Sequence, residues 1–287
     1  MQKTIKISDI DSFKNHPFKV NRDEALNELV DSIKTNGLLN PLVVRPKENG
    51  RYELILGHRR KMALEINGIT EIEVECKDLS DDDAVIYMVD SNMYREHILP
   101  SEKAFAYKMK LDALKHQGKR TCGNEYHKSR DKLASQTKYS SRTIQNYIRL
   151  TFLIPELLQL VDDTILKDKR TTLTMGLKPA IELSYLNKEE QNLVYSLIEY
   201  EDLTPSHAQA IKIREISKNK KLNFDSIEEI LCQNKGNQNE KISFNKEKIE
   251  NVLPKELLKR DKRYIEQYII KAIEYNNENK GNSSFVI

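Results

Sequence analysis

The chain has 287 residues, 32% of them charged and 38% hydrophobic, with no Trp. Its 47 Lys/Arg and 44 Asp/Glu nearly cancel to a net charge of +3, so bulk charge names no partner, while the length suits two domains or three small ones with cores of their own. No apolar run approaches the roughly 18 residues of a membrane span, and the opening MQKTIKISDI lacks the apolar core of a secretory signal. A cytoplasmic protein with no membrane partner is expected. Cys76, Cys122 and Cys232 are odd in number and far apart, which implies no disulfide framework. Cys122 lies near His116 and His127, but a fourth ligand and any Cys-x-x-Cys pair are missing, so zinc is not expected.

The first hundred residues alternate strand and helix signals. Thr4–Ile7 reads as a short strand. Asn21 is placed to cap a helix whose first turn holds Asp23 and Glu24, with Ala25, Leu26, Leu29, Val30 and Ile33 at helical spacing and Gly37 as the stop. Leu42–Arg45 and Tyr52–Leu56 flank the turn-like Lys47-Glu48-Asn49-Gly50 and predict a pair of strands. A helix follows from about His58 to Ile66, then an alternating strand over Glu71–Cys76, then a helix from Asp81 to about Asn92. After Pro100 strand signals nearly vanish. A helix starting at Ser101 and closed by Gly118 is followed by helices near 130–137, 141–153, 156–162, 177–186, 188–200, 205–217 and 225–232. Residues 233–241 read as a polar linker. Beyond it, a strand at Ile242–Phe244 and an amphipathic helix from about Lys255 to Asn276 form a module at 242–287. That module is too small to hold a core alone; it pairs with a second copy or packs back on its own chain.

Charge counted by segment is more informative. Residues 1–100 hold 14 Lys/Arg against 18 Asp/Glu, residues 108–150 hold 11 against 3, and residues 151–287 hold 21 against 22. One short stretch thus carries the basic excess, as a DNA-binding surface needs, although a solvated helical face has the same composition. Within it, Leu133-Ala134, a break at Lys138-Tyr139-Ser140, and the helix Ser141-Arg142-Thr143-Ile144-Gln145-Asn146-Tyr147-Ile148-Arg149 read as a helix-turn-helix at 130–153 or a generic helical hairpin. Candidate DNA contacts are Lys132, Lys138, Ser140, Ser141, Arg142, Thr143, Gln145, Asn146 and Arg149, since such side chains bond base edges and phosphates. Lys119, Arg120, Lys128 and Arg130 suit phosphate contacts or a basic loop.

A second constellation is Gly57-His58-Arg59-Arg60. A strand runs into a glycine and then into a helix whose free N–H groups and positive dipole end favour an anion. Two arginines are electrostatically misplaced in a first helical turn unless an anion compensates them. A nucleotide phosphate and a pair of surface arginines are both compatible with this tetrapeptide. Asn92 and Arg95, at the end of the later helix, offer an amide oxygen to magnesium or triphosphate and a further phosphate contact.

The order His16-Pro17, Gly57-His58-Arg59-Arg60-x-x-Ala63, Asn92-x-x-Arg95 and Pro100-Ser101-Glu102-Lys103-Ala104-x-Ala106-Tyr107 resembles the ParB/RepB partition family. The resemblance implies an α+β chain in three parts: a small α/β CTP-binding domain at 1–100, an all-α helix-turn-helix domain at 101–232, and a C-terminal dimerisation module after the linker. It further implies CTP with Mg²⁺ at Gly57, His58, Arg59, Arg60, Asn92 and Arg95, with Asn92 as the candidate metal ligand. The implied partners are double-stranded DNA at a centromere-like site, a ParA-like ATPase and a second copy of the chain. The implied location is cytoplasmic and nucleoid-associated, and the implied action is a CTP-gated sliding clamp. Two departures bear on the chemistry. His58 stands where the family usually has glutamate in Gly-Glu-Arg-Arg, and Ser91 where it usually has glutamate before Asn-x-x-Arg. Both lost carboxylates matter for metal and water chemistry, so CTP binding is expected more than efficient hydrolysis.

Four other readings compete with this one. Sulfiredoxins share the N-terminal fold but need a reactive Cys where Gly57 stands. An ATP-using enzyme on that fold would not need the helix-turn-helix, and a simple transcriptional regulator of a mobile element would leave the Gly57–Arg60 site vestigial. A nucleoid-occlusion relative would usually add an amphipathic membrane segment, for which residues 1–10 are too short and polar.

Overall fold

Five short strands build one mixed sheet: β1 (Gln2–Lys6), β2 (Ile10–Asp11), β3 (Leu42–Pro46), β4 (Tyr52–Leu56) and β5 (Glu71–Cys76), in the order β1-β5-β3-β4-β2. β3 and β4 form an antiparallel hairpin, β1 pairs antiparallel with β5, and the β3–β5 and β4–β2 pairs are parallel. The computed structural model describes residues 1–95, 98–118, 131–137, 139–166, 173–219 and 222–232, with isolated positions at 254, 268, 271 and 272. The chain divides into two compact units, Met1–Gln233 and Asn234–Ile287. Apart from those isolated positions, the expected linker, strand and final helix of the second unit lie outside the described residues, as do Lys119, Arg120, Lys128, Arg130 and Lys138.

The apolar runs of β3 and β4 are continuous because both sheet faces are covered. Leu42, Val44, Leu54 and Val74 face α1 (Glu24–Asn36) and α2 (His58–Ile66), meeting Leu26, Ile33, Ala63 and Leu64. Val43 and Ile55 face α3 (Asp81–Asn92), with Ala84, Met88, Val89, Phe13 and Phe18. Each fully buried aliphatic side chain here contributes about 1.5–3 kcal/mol. The start of α1 differs from the expectation. Asp23, not Asn21, is the N-cap, and its carboxylate accepts the backbone N–H of Leu26. Both residues are good caps, and tertiary packing of Leu26 sets which one is used. β2 is too short to leave a periodic signal, and it forms only because β4 offers an edge.

α4 (Pro100–Gly118) is the strut of the first unit. Ala106 packs in the layer of α3, Ala104 in the core of the C-terminal helices, and Tyr107, Leu111 and Leu114 in the helix-turn-helix core. A helix apolar on several sides is a buried helix, and this one has little amphipathic asymmetry. Its N-terminus is fastened twice. The buried Asp162 carboxylate accepts Ser101 N–H at 2.9 Å and Ser101 Oγ–H at 2.5 Å, while Glu102 accepts the N–H groups of Leu99 and Lys19. The Ser101-Glu102 pair that helps carry the family resemblance therefore ties the start of α4 to Lys19, ahead of α1, and to the distant Asp162.

The remaining helices are α5 (residues 131–135), α6 (Ser141–Arg149), α7 (Pro155–Leu166), α8 (Leu177–Leu183), α9 (Lys188–Glu201), α10 (His207–Lys218) and α11 (Phe224–Cys232). The helix expected over 141–153 ends as α6 at Arg149 and tightens into a 3-10 turn at Leu150–Phe152 before Pro155. α7 to α11 close a core around Leu157, Val161, Leu183, Leu197, Ile198 and Ile213. The architecture is α+β. Among the described residues no helix is long and apolar enough to cross a membrane.

Candidate anion site and helix-turn-helix

β4 ends at Leu56, and Gly57 turns the chain into α2 with φ +105° and ψ 27°, a left-handed conformation that favours glycine. A Cβ at Gly57 would stand 2.5 Å from Leu42 Cδ2, so the glycine is demanded by the backbone and by the β3 core together. No side chain caps α2 and no acid lies in its first turn. Its leading N–H groups and positive dipole end are therefore open to water or an anion.

The cations around this end differ in kind. Arg59 is paired with Asp23, Nη2 to Oδ1 at 2.7 Å, so the α1 cap holds it. Arg60 Nη1 donates to the carbonyl oxygens of Asn40 (2.5 Å) and Pro41 (2.9 Å). Burial lowers its pKa, and among the described residues it has no carboxylate partner. Arg95 Nη1 donates to Asn92 Oδ1 at 3.2 Å, and its charge reaches both His16 and His58.

His58 stacks on His16, with ring centroids 3.7 Å apart and planes tilted by 33°. Burial pushes the His58 pKa down to about 3, and the charges of His16, Lys61 and Arg95 add to the effect. His16 is lowered by burial too, against the opposing influence of the Phe18 carbonyl that accepts from its Nδ1 at 2.8 Å. The Nε2 atoms of both rings are buried without a hydrogen-bond partner among the described residues. His16, remote in sequence, joins the site through the loop after β2, where Asn15 takes a positive φ of 56°. The His16-Pro17 pair was a family signpost in the sequence, but its contact with His58 had no local signal.

The protein's own donors do not fit magnesium. Asn92 Oδ1 is turned to the Arg95 guanidinium, and Asn92 Nδ2 donates to Met88 O. Ser91 Oγ donates to Tyr87 O, while the adjacent Asp90 carboxylate is ion-paired with the buried Lys110. One neutral oxygen beside a guanidinium is not the hard, anionic oxygen set that Mg²⁺ takes. Among the described residues no group of three or more His, Cys, Asp or Glu is placed to hold a metal.

In the helix-turn-helix, Leu133 of α5 and Ile144 of α6 are fully buried against Tyr107, Leu111 and Leu114 of α4. Tyr107, Tyr139 and Tyr147 pack edge-to-face or tilted at centroid distances of 5.9–6.4 Å, with the Lys103 ammonium over Tyr139 and Tyr147. Burial raises the Tyr107 pKa.

The candidate DNA contacts divide by role. Ser140 is the N-cap of α6, accepting Thr143 N–H at 3.1 Å, and its hydroxyl lies 2.9 Å from the Thr143 hydroxyl. Ser141, Gln145 and Asn146 are half-buried, whereas Arg142 and Lys132 are exposed. Arg149 turns the other way. Its Nε and Nη2 donate to Ser184 Oγ and O, and its guanidinium lies 3.9 Å from the Tyr185 ring centroid. It braces α6 against the end of α8, a role its place in the candidate recognition helix does not announce.

The family model of the ParB N-terminal domain matches residues 2–93. Over 137 residues the chain is 37% identical to a probable chromosome-partitioning protein ParB of Neisseria meningitidis, covering 48% of this chain and 43% of that protein. It is 29% identical over 206 residues to a nucleoid occlusion protein of Geobacillus sp., covering 68% of this chain and 69% of that protein. Among solved structures, the C-terminally truncated ParB of Caulobacter crescentus complexed with CTP-γ-S is similar at a TM-score of 0.31 and 21% identity, covering 69% of this chain and 98% of that chain. The chain thus spans under half the length of the Neisseria relative it matches. Residues 2–93, which hold the whole sheet, α1, α2 and α3, match the ParB N-terminal domain family.

Proposed function

We propose that this chain is a partition-type DNA-binding protein whose N-terminal domain binds CTP, and which acts as a dimeric clamp on DNA closed by that nucleotide. One observation carries the reading: among the described residues the half-buried Arg60 guanidinium is compensated only by carbonyl oxygens, and it stands beside the uncapped N-terminus of α2. A cation desolvated in this way is stabilised by an arriving phosphate, and the N–H groups at the helix end add donors in the same direction. The helix-turn-helix supplies the DNA-reading surface through Lys132 of α5 and Arg142, Gln145 and Asn146 of the recognition helix α6, inside the stretch that holds the basic excess. The double-stranded target is a centromere-like site, residues 1–100, 101–232 and 242–287 serve as nucleotide, DNA and dimerisation parts, and a ParA-like ATPase is the partner that drives segregation.

The test is Arg60→Ala. Calorimetric titration with CTP is expected to show at least a hundredfold loss of affinity, while specific binding to the short DNA site persists. If the variant still binds CTP and still closes on DNA, the phosphate-site assignment is wrong.

A further inference from the structure

The stacked imidazoles of His16 and His58 have no part in the reading above, and His58 stands where the family usually places a glutamate. We infer that this pair takes up a proton when a nucleoside polyphosphate docks at the α2 N-terminus, supplying the positive charge that the site's oxygen donors cannot recruit as a magnesium ion. The inference rests on the proposed nucleotide site and concerns how that site is charged.

The geometry supports one shared proton. His16 Nδ1 is fixed as a donor by the Phe18 carbonyl at 2.8 Å, so in the neutral ring Nε2 carries only a lone pair. That lone pair, like His58 Nε2, is buried with no partner among the described residues. A buried nitrogen of this kind carries a desolvation cost until something completes it. Protonation turns His16 Nε2 into a donor, which only an acceptor such as a phosphate oxygen rewards. With centroids 3.7 Å apart, two imidazolium rings would repel, so the pair holds about one proton at most.

The surrounding charges explain why the proton waits for the ligand. His58 faces His16 from the loop after β2, Lys61 from its own helix, and Arg95 from the end of α3; Arg95 acts on His16 as well. Arg59 and Arg60 lie on the same first turn. The acids among these groups are already engaged, Asp23 with Arg59 and Glu65 with Lys61. An isolated imidazolium is therefore opposed on each side. A polyphosphate reverses that balance, because it neutralises the flanking cations and supplies the missing acceptor at once.

The experiment is calorimetric titration of the full chain with CTP at pH 6.0, 7.0 and 8.0. Buffers of differing ionisation enthalpy give the proton uptake, and each titration is run with Mg²⁺ and with EDTA. The wild type is expected to take up between about 0.5 and 1 proton at pH 7, with affinity falling by up to about tenfold per pH unit above neutrality. EDTA is expected to change its affinity less than threefold. His58→Gln and His16→Asn retain neutral hydrogen-bonding groups but cannot titrate. Both are expected to bind CTP more weakly at pH 6, with the histidine uptake lost and only the proton that the nucleotide's terminal phosphate releases beside the cations remaining.

Wild-type binding with the same proton uptake and pH slope as both variants overturns the imidazole pair as the charge source. An absolute requirement for Mg²⁺ overturns it as well. If CTP fails to bind wild type at any of these pH values, the nucleotide site itself falls and the inference with it. Retained binding by Arg60→Ala alongside a normal histidine effect refutes the Arg60 assignment alone.

Discussion

Replacing Gly57 with alanine sets two costs against each other that a matched control can separate. The backbone cost comes from a Cβ in the left-handed region, about 1–2 kcal/mol. The packing cost comes from the same Cβ meeting Leu42 Cδ2 at 2.5 Å, which forces a fully buried leucine of β3 to move. Overpacking of this sort costs about 1–3 kcal/mol. Gly50 in the β3–β4 turn has a φ of +78° and nothing within 4 Å of its virtual Cβ, so Gly50→Ala carries the backbone cost alone. The gain from a less flexible unfolded chain is common to both substitutions and cancels in the comparison. Gly57→Ala is therefore expected to be more destabilising than Gly50→Ala by about 1–3 kcal/mol. Amide hydrogen exchange measured on peptides from β3, β4 and α2 reads the opening free energy of this domain without requiring the whole chain to unfold in one step. Equal losses for the two variants would refute the claim that the Leu42 contact dictates glycine at the head of α2.

The other expectations concern the helix-turn-helix and pH. Arg142→Ala should weaken DNA binding and lower the salt-dependence slope by about 1, read from binding isotherms over a range of salt concentrations. Arg149→Ala should leave that slope unchanged but lower the melting temperature, because its guanidinium is engaged with Ser184 and Tyr185; the reverse outcome would return Arg149 to the DNA surface. Ser140→Ala removes the α6 cap and should cost about 1 kcal/mol in urea unfolding. The pH dependence follows from His58 being held below its ordinary 6.5, down to about 3. The unfolded chain then binds more protons below about pH 6.5, so stability is complete above that value and declines as pH falls toward 3. The slope is at most about 1.4 kcal/mol per pH unit for this residue, and urea midpoints at pH 7.5, 6.5 and 5.5 should show it flatten in His58→Gln.

Local chemistry made much of the N-terminal domain legible. Gly57 before the helix His58-Arg59-Arg60, the alternating Glu71–Cys76 run and the apolar Leu42–Val44 and Leu54–Leu56 runs placed β3, β4, β5 and the start of α2 by propensity and period alone. The motif order then named a family, which the match over residues 2–93 bears out. Signals of this kind are written within a few residues, because they follow from backbone conformation, side-chain alternation and the free groups of a helix terminus.

The pairings were decided elsewhere. Asn21 and Asp23 are equally good caps in a string of letters, and the packing of Leu26 chose Asp23. The two arginines of one motif met different fates, Arg59 on a carboxylate of α1 and Arg60 on the carbonyls before β3. Arg149 belongs to the recognition helix by position and to Ser184 by contact. His16 and His58 lie far apart along the chain and are stacked in space. The sequence by itself determined most of the elements that form and that two arginines would stand in the first turn of a helix. Only the tertiary structure decided which of those charges are already spent and which remain, because that balance depends on partners brought together through the sheet rather than on neighbours in the chain.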